Sequence, residues 1–224
     1  MEHLFLTTTD NKKIAANYFP VDSKTSATPK GWIVYLHMMP ATKESWNALA
    51  DRFCQQGYAG IAIDLRGHGA SDDGPQGFAR YSDAEHQGSL RDVDATVDFL
   101  KGIGAHDDRV SFIGASIGAN LALQYIYNHR GFKKAILLSP GLDYHGIAIK
   151  HRIEGLPEDK KILFIGSLDD DRVIDNAADV EMLFNAIPNG VEAKKIITET
   201  GGHGTAIVSH HPELIDELIH FIQS

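Results

Sequence analysis

Short apolar runs alternate along this chain with stretches of helical periodicity, and that alternation limits the folds open to it. The clearest run is Trp32-Ile33-Val34-Tyr35-Leu36, continuous enough to suit a strand buried on both faces. Gly60-Ile61-Ala62-Ile63 and Val110-Ser111-Phe112-Ile113 read as further strands, and 135–138 and 162–165 as two more buried ones. Between them, Trp46, Leu49, Ala50 and Phe53 place a helix over about 44–57. Ser82 with Glu85 forms a capping box ahead of a helix that carries Leu90, Val93, Val97 and Leu100 on one face. A helix near 175–186, a strand over 194–198 and a final helix from Pro212 follow. Strands alternating with helices predict a mostly parallel sheet covered on both faces. At the start, 2–8 and 12–19 read as strands joined by Asp10-Asn11, which predicts an antiparallel hairpin at the sheet edge. Residues 21–30 read as a polar loop.

The 224 residues fit one domain, with no internal repeat, linker or low-complexity segment. A net charge of -9 disfavours nucleic acid and anionic membrane as partners. Cys54 is the single cysteine, which rules out an internal disulfide and suits a reducing compartment. The first residues lack the pattern of a signal peptide, and no apolar stretch has bilayer-spanning length. A cytoplasmic location is therefore the expectation.

In open sheets of this kind ligands bind beyond the carboxyl ends of the strands. The polar residues just after the strands are His37, Asp64, Ser116, Ser139, Asp169 and His203. Ser116 sits in Gly114-Ala115-Ser116-Ile117-Gly118, at a sharp turn from strand to helix. The glycines are expected where side chains would collide, and the serine hydroxyl is expected at a helix N-terminus that favours developing negative charge. A helix cap is the plainer role for such a serine. A nucleophilic serine needs a base and a carboxylate that orients it. His203 and Asp169 supply both, in the order Ser, Asp, His.

With these residues in view, the chain resembles an α/β-hydrolase of the serine esterase type. The resemblance rests on 36–40 with Trp46, on Asp64-Leu65-Arg66-Gly67-His68-Gly69-Ala70-Ser71, and on the Ser116 pentapeptide. It continues through Gly166-Ser167-Leu168-Asp169 and Gly202-His203-Gly204-Thr205. It implies a single α/β-hydrolase domain over 1–224, with an eight-stranded, mostly parallel sheet and a two-step acyl transfer. Ser116 is then the nucleophile, His203 the base and Asp169 the acid. Within Asp169-Asp170-Asp171, the spacing from Gly166 favours Asp169, with Asp170 as the alternative. The amides of Ile117 and Met39 would form the oxyanion hole. The family has His-Gly-x where this chain has His37-Met38-Met39, so the loop backbone is open to difference. Met38 either contacts substrate or packs in the core. The 64–69 stretch reads as a structural turn beneath the site, its charges paired internally.

Ser139 to Lys160 is too short for a folded lid, which predicts an open, shallow cleft lined by Tyr144 and His145. Dienelactone hydrolases are also lidless but carry a cysteine nucleophile, so the expected activity is a carboxylesterase acting on small-molecule esters. No metal or organic cofactor is required by that chemistry. Thioesterase or lactonase activity with the same triad is the alternative, with amides last. A non-catalytic protein that binds a small molecule or a partner is a third reading.

Overall fold

The computed structural model describes residues 1–21, 28–172 and 175–224, so most of the polar loop expected over 21–30 lies outside the described residues. The strands are β1 (Glu2–Thr7), β2 (Lys13–Phe19), β3 (Trp32–Leu36), β4 (Ala59–Ile63), β5 (Val110–Ala115) and β6 (Lys134–Leu138). They continue with β7 (Asp143–Tyr144), β8 (Ile147–Ala148), β9 (Lys161–Ser167) and β10 (Glu192–Thr198). All but β7 and β8 join one eight-stranded sheet in the order β1-β2-β4-β3-β5-β6-β9-β10. The pairs β1/β2 and β2/β4 are antiparallel, and every pair from β4/β3 to β9/β10 is parallel. The expected edge hairpin is therefore present, with Asn11 at a positive φ of 62° in its turn.

The continuous apolar runs feed two cores at once. Trp32, Val34 and Leu36 of β3 face one cluster, while Ile33 and Tyr35 face the other. The first cluster is closed by α3 (Leu90–Gly102), α4 (Ile117–Asn128) and α6 (Asn176–Asn185), the second by α1 (Asn47–Gln55) and α8 (Leu214–Gln223). Successive side chains of a strand point to opposite faces, so a strand covered on both sides must be apolar throughout. α4 is buried from Ile117 to Ile126, because it lies under the middle of the sheet with further segments above it.

Two local features differ from the sequence reading. The capping box forms, with Glu85 Oε2 accepting from the Ser82 N–H at 2.7 Å, but the helix it opens is only α2 (Asp83–Gln87). The amphipathic helix α3 starts separately after Gly88-Ser89. Arg66 packs against the break. A Cβ at Gly88 would lie 2.9 Å from Arg66 Nη1. The guanidinium passes there to reach the fully buried Asp92, with Nε and Nη2 at 3.0 and 2.8 Å from Oδ1. Asp10 meets the other side of Arg66 at 2.7 Å. The paired charges expected in the 64–69 stretch are thus present, and Asp64 likewise accepts from Lys43 Nζ at 2.8 Å.

The segment after β6 is the second difference. It folds into the β7/β8 hairpin and α5 (Lys150–Glu154), elements that the sequence reading did not assign. His145 and Gly146 make its turn, both at positive φ (53° and 75°). Buried Asn120 of α4 ties it down: its Nδ2 donates to Gly141 O at 2.9 Å and Ile147 O at 2.8 Å, and its Oδ1 accepts from the Gly141 N–H at 3.2 Å. Replacing Asn120 with leucine keeps the branched shape of the side chain and removes the donor and acceptor that serve these backbone groups. We expect Asn120→Leu to lower the unfolding free energy in urea by about 2–4 kcal/mol. A change under about 0.5 kcal/mol would mean that packing alone holds the segment.

Candidate active site

The turn from β5 to α4 is built on close backbone contact. A Cβ at Gly114 would lie 2.2 Å from Gly118 O, and one at Gly118 would lie 2.2 Å from Leu36 O. Neither distance admits a side chain, as the sequence predicted. Ser116 at the apex has φ 54° and ψ -122°, a conformation costing about 1–3 kcal/mol for a residue with a side chain. Its own N–H donates to Leu138 O at 2.8 Å, which fixes the apex against β6. Ile117 is the first residue of α4, where the N–H has no intrahelical partner and points out of the helix end.

The loop after β3 supplies the facing wall. His37 is fully buried, and its Nε2 accepts from the Leu65 N–H at 3.0 Å. That leaves Nδ1 to donate to Met38 O at 2.9 Å. Burial, and then the neighbouring His68 ring, push His37 down to about 4, so the ring is neutral and this tautomer is the one the bonds require. Holding the Met38 carbonyl holds the peptide plane, and the N–H of Met39 points the opposite way across a trans peptide. The departure from His-Gly-x is absorbed by packing: Met38 is half-buried, and its Sδ would lie 2.6 Å from a Cβ on Gly204.

His203 arrives on a glycine loop in which Gly201, Gly202 and Gly204 all take positive φ (129°, 66° and 60°). The loop lies against the turn, since a Cβ at Gly204 would be 3.3 Å from Ala115 Cβ. His203 is buried, and its Nδ1 meets Asp170 Oδ2 at 2.5 Å. The other oxygen of Asp170 accepts from the Arg172 N–H at 3.1 Å.

Asp169, the acid that the spacing selected, is therefore not the histidine's partner. Its side chain is exposed, and its carboxylate accepts from Ser167 Oγ at 2.6 Å, the Gly202 N–H at 2.8 Å and the Gly201 N–H at 3.2 Å. The Ser167 bond, followed by the Gly202 amide, holds it below the usual carboxylate range. β9 runs on through Ser167, two positions beyond the apolar run, so the turn starts later and the inward carboxylate falls one residue on. Asp169 braces the His203 loop from outside instead.

Tyr144 is brought to the site by the β7/β8 hairpin. Its hydroxyl donates to Ser139 O at 3.3 Å and lies near that of Ser116. Sequence reasoning gave no role to Ser139, whose Oγ accepts from the Gly204 N–H at 2.8 Å, or to Arg172, whose Nη1 donates to Met39 O at 3.1 Å. The polar position directly after β6 pointed to Ser139, while nothing local marks Arg172. His210 closes α7 (Thr205–His210) and His211 caps it. An apolar hollow of about 210 Å³, lined by Trp46, Leu49, Val208 and Ile215 among others, lies behind the His203 loop rather than over Ser116.

A strained serine between β5 and α4, with a histidine–carboxylate pair after the last strands, defines an α/β-hydrolase architecture. The chain belongs to the family described as serine aminopeptidase S33, whose pattern matches residues 27–164. That match includes Ser116 and stops short of Asp170 and His203. Solved structures with this fold include the Pyrococcus furiosus esterase Pf2001, at TM-score 0.78 and 18% identity, covering 99% of this chain and 91% of that one. An esterase from Exiguobacterium antarcticum gives 0.77 and 16%, covering all of both chains. Est816, described as an N-acyl homoserine lactone degrading enzyme, gives 0.70 and 21%, over 97% of this chain and 99% of its own. Uncharacterized proteins of Mycobacterium tuberculosis and Mycobacterium bovis are 30% identical over 126 residues, 56% of this chain. The match spans about a third of those curated relatives, 33% of their length. Among the described residues, no helix is long and apolar enough to cross a membrane.

The buried imidazole of His37 has a consequence for stability. Its folded value lies below the ordinary 6.5, so between 6.5 and about 4 the unfolded chain binds the proton first. Stability is intact above that window and falls as pH drops through it, by at most about 1.4 kcal/mol per pH unit from this group. Urea unfolding at pH steps from 7.5 to 4.5 is expected to show a shallower decline for His37→Gln than for the parent. Equal slopes would remove His37 as a source of the acid sensitivity.

Proposed function

We propose that the chain hydrolyses small carboxylic esters through an acyl-enzyme on Ser116. The observation that carries this reading is the convergence of the strained Ser116 turn with the buried His203–Asp170 pair, through contact of Gly204 with Ala115. His203 takes the Ser116 proton as the hydroxyl oxygen attacks the ester carbonyl. Asp170 fixes the imidazole with its second nitrogen free, and its charge stabilises the imidazolium that forms. The Ile117 and Met39 amides receive the developing oxyanion. His203 then protonates the departing alkoxide, and a water molecule repeats the cycle on the acyl-enzyme.

The family description names an aminopeptidase, which would have to hold the free ammonium of a peptide. The charged side chain that reaches the Met39 loop is Arg172, a cation and a poor partner for an ammonium. This favours esters over aminoacyl amides. Lactones, the bond named for Est816, would pass through the same steps, with the leaving alcohol tethered to the acyl group.

Ser116→Ala is expected to abolish p-nitrophenyl acetate hydrolysis and fluorophosphonate labelling while the circular dichroism spectrum is unchanged. Full activity in that variant would reject the nucleophile and the reading with it. The acid assignment has its own test. Asp170→Asn should cut kcat by about 10³–10⁴-fold, the scale of losing the orienting carboxylate in a triad. Asp169→Asn, which touches only the loop brace, should cost less than about 10-fold. The reverse ranking would return the role to Asp169.

A further inference from the structure

We propose that Tyr144 is an additional catalytic residue, whose phenol donates a hydrogen bond to the leaving-group oxygen as the tetrahedral intermediate collapses. The proposal rests on the esterase reading and adds a group that the triad does not include.

Its position carries the argument. Ser139 binds both neighbours: its carbonyl accepts from the Tyr144 hydroxyl at 3.3 Å, a long bond that the phenol exchanges for one to the leaving oxygen, and its Oγ accepts from the N–H of Gly204, the residue after His203. Tyr144 and the loop that carries His203 are therefore joined on the β6 side of Ser116. Met39 reaches it from the β3 side, across β5 in the sheet order. The oxyanion lies toward the amides, and the leaving oxygen must lie toward the imidazole that protonates it. The phenol shares that second side and lies near the Ser116 hydroxyl in the free protein.

The group is also held in place. A Cβ on Gly141 would lie 2.7 Å from Tyr144 Cζ and 2.9 Å from its hydroxyl oxygen, so the ring lies flush against the backbone. Asn120 anchors both ends of the hairpin that bears it. At the hairpin tip, His145 stacks on His86 of α2 at 4.1 Å between ring centroids. Burial raises the phenol well above its ordinary value of 10.0, so it stays a neutral donor.

The proton count closes without transferring its proton. The bond between the carbonyl carbon and the leaving oxygen breaks, and its electron pair goes to that oxygen. His203 delivers the proton it took from Ser116. Tyr144 keeps its own and lowers the charge that the leaving oxygen must carry meanwhile. The help matters most for a poor leaving group.

Tyr144→Phe separates this role from a structural one, because the ring stays packed on Gly141. The expected result is a kcat/KM loss of about 10–100-fold on ethyl butyrate, the scale of a lost hydrogen bond to a charged group. On p-nitrophenyl butyrate, whose phenolate leaves unaided, the loss should be under about 3-fold. The fluorophosphonate labelling rate should hold within the same limit. Equal losses on both esters, or none on either, would overturn the proposal. If the variant melts lower than the parent, the ratio of the two kcat/KM values still decides, since a smaller folded fraction lowers both alike. Ser116→Ala assayed beside it keeps the two readings apart. An inactive Ser116→Ala with an unaffected Tyr144→Phe sinks the phenol alone, whereas an active Ser116→Ala sinks the ester mechanism itself.

Discussion

The contact of bare Gly118 with the carbonyl oxygen of Leu36 sets the position of nearly everything at the candidate site. Without a Cβ there, α4 can press its first turn against the end of β3. That approach places the Ile117 amide beside the loop that holds Met39. Gly114 removes the matching obstacle on the strand side, and Ser116 takes up the remaining strain in its own backbone. A dense core supports the arrangement, because the apolar runs in the middle of the sheet are packed from above and below and leave the turn no room to relax.

The catalytic groups proposed here come from loops, yet each loop is held by buried polar contacts. His37 orients a peptide plane through one ring nitrogen and is held through the other. Ser139 joins the hairpin to the base loop, and Asn120 joins the hairpin to the helix behind the serine. None of these side chains meets a substrate atom in the proposed mechanism. They make an irregular rim behave as part of the sheet, which positional catalysis requires.

Much of this was legible in the residues. The apolar runs fixed the strands within a residue or two, since a strand covered on both faces leaves no freedom for polar positions. The serine turn was legible because its glycines answer a local steric need. The carboxylate that pairs with His203 was not, because Asp169 and Asp170 differ by a single position and the end of β9 decides which turns inward. The break between α2 and α3 falls where Arg66, far away in sequence, passes Gly88, a contact that no local pattern marks. The β7/β8 hairpin offered a weak signal: His145-Gly146 can supply the two positive-φ residues of a tight turn, but histidine there is less telling than asparagine.

The loop that carries His203 has three glycines at positive φ and so has little shape of its own. It borrows rigidity from Asp169, which takes two of its amides, and from Ser139, which takes a third. The acid turn and the base loop are thereby latched together. Opening one frees the other, so slow amide exchange at Gly201 and Gly202 would report on the alignment of a histidine that neither of them touches through its side chain.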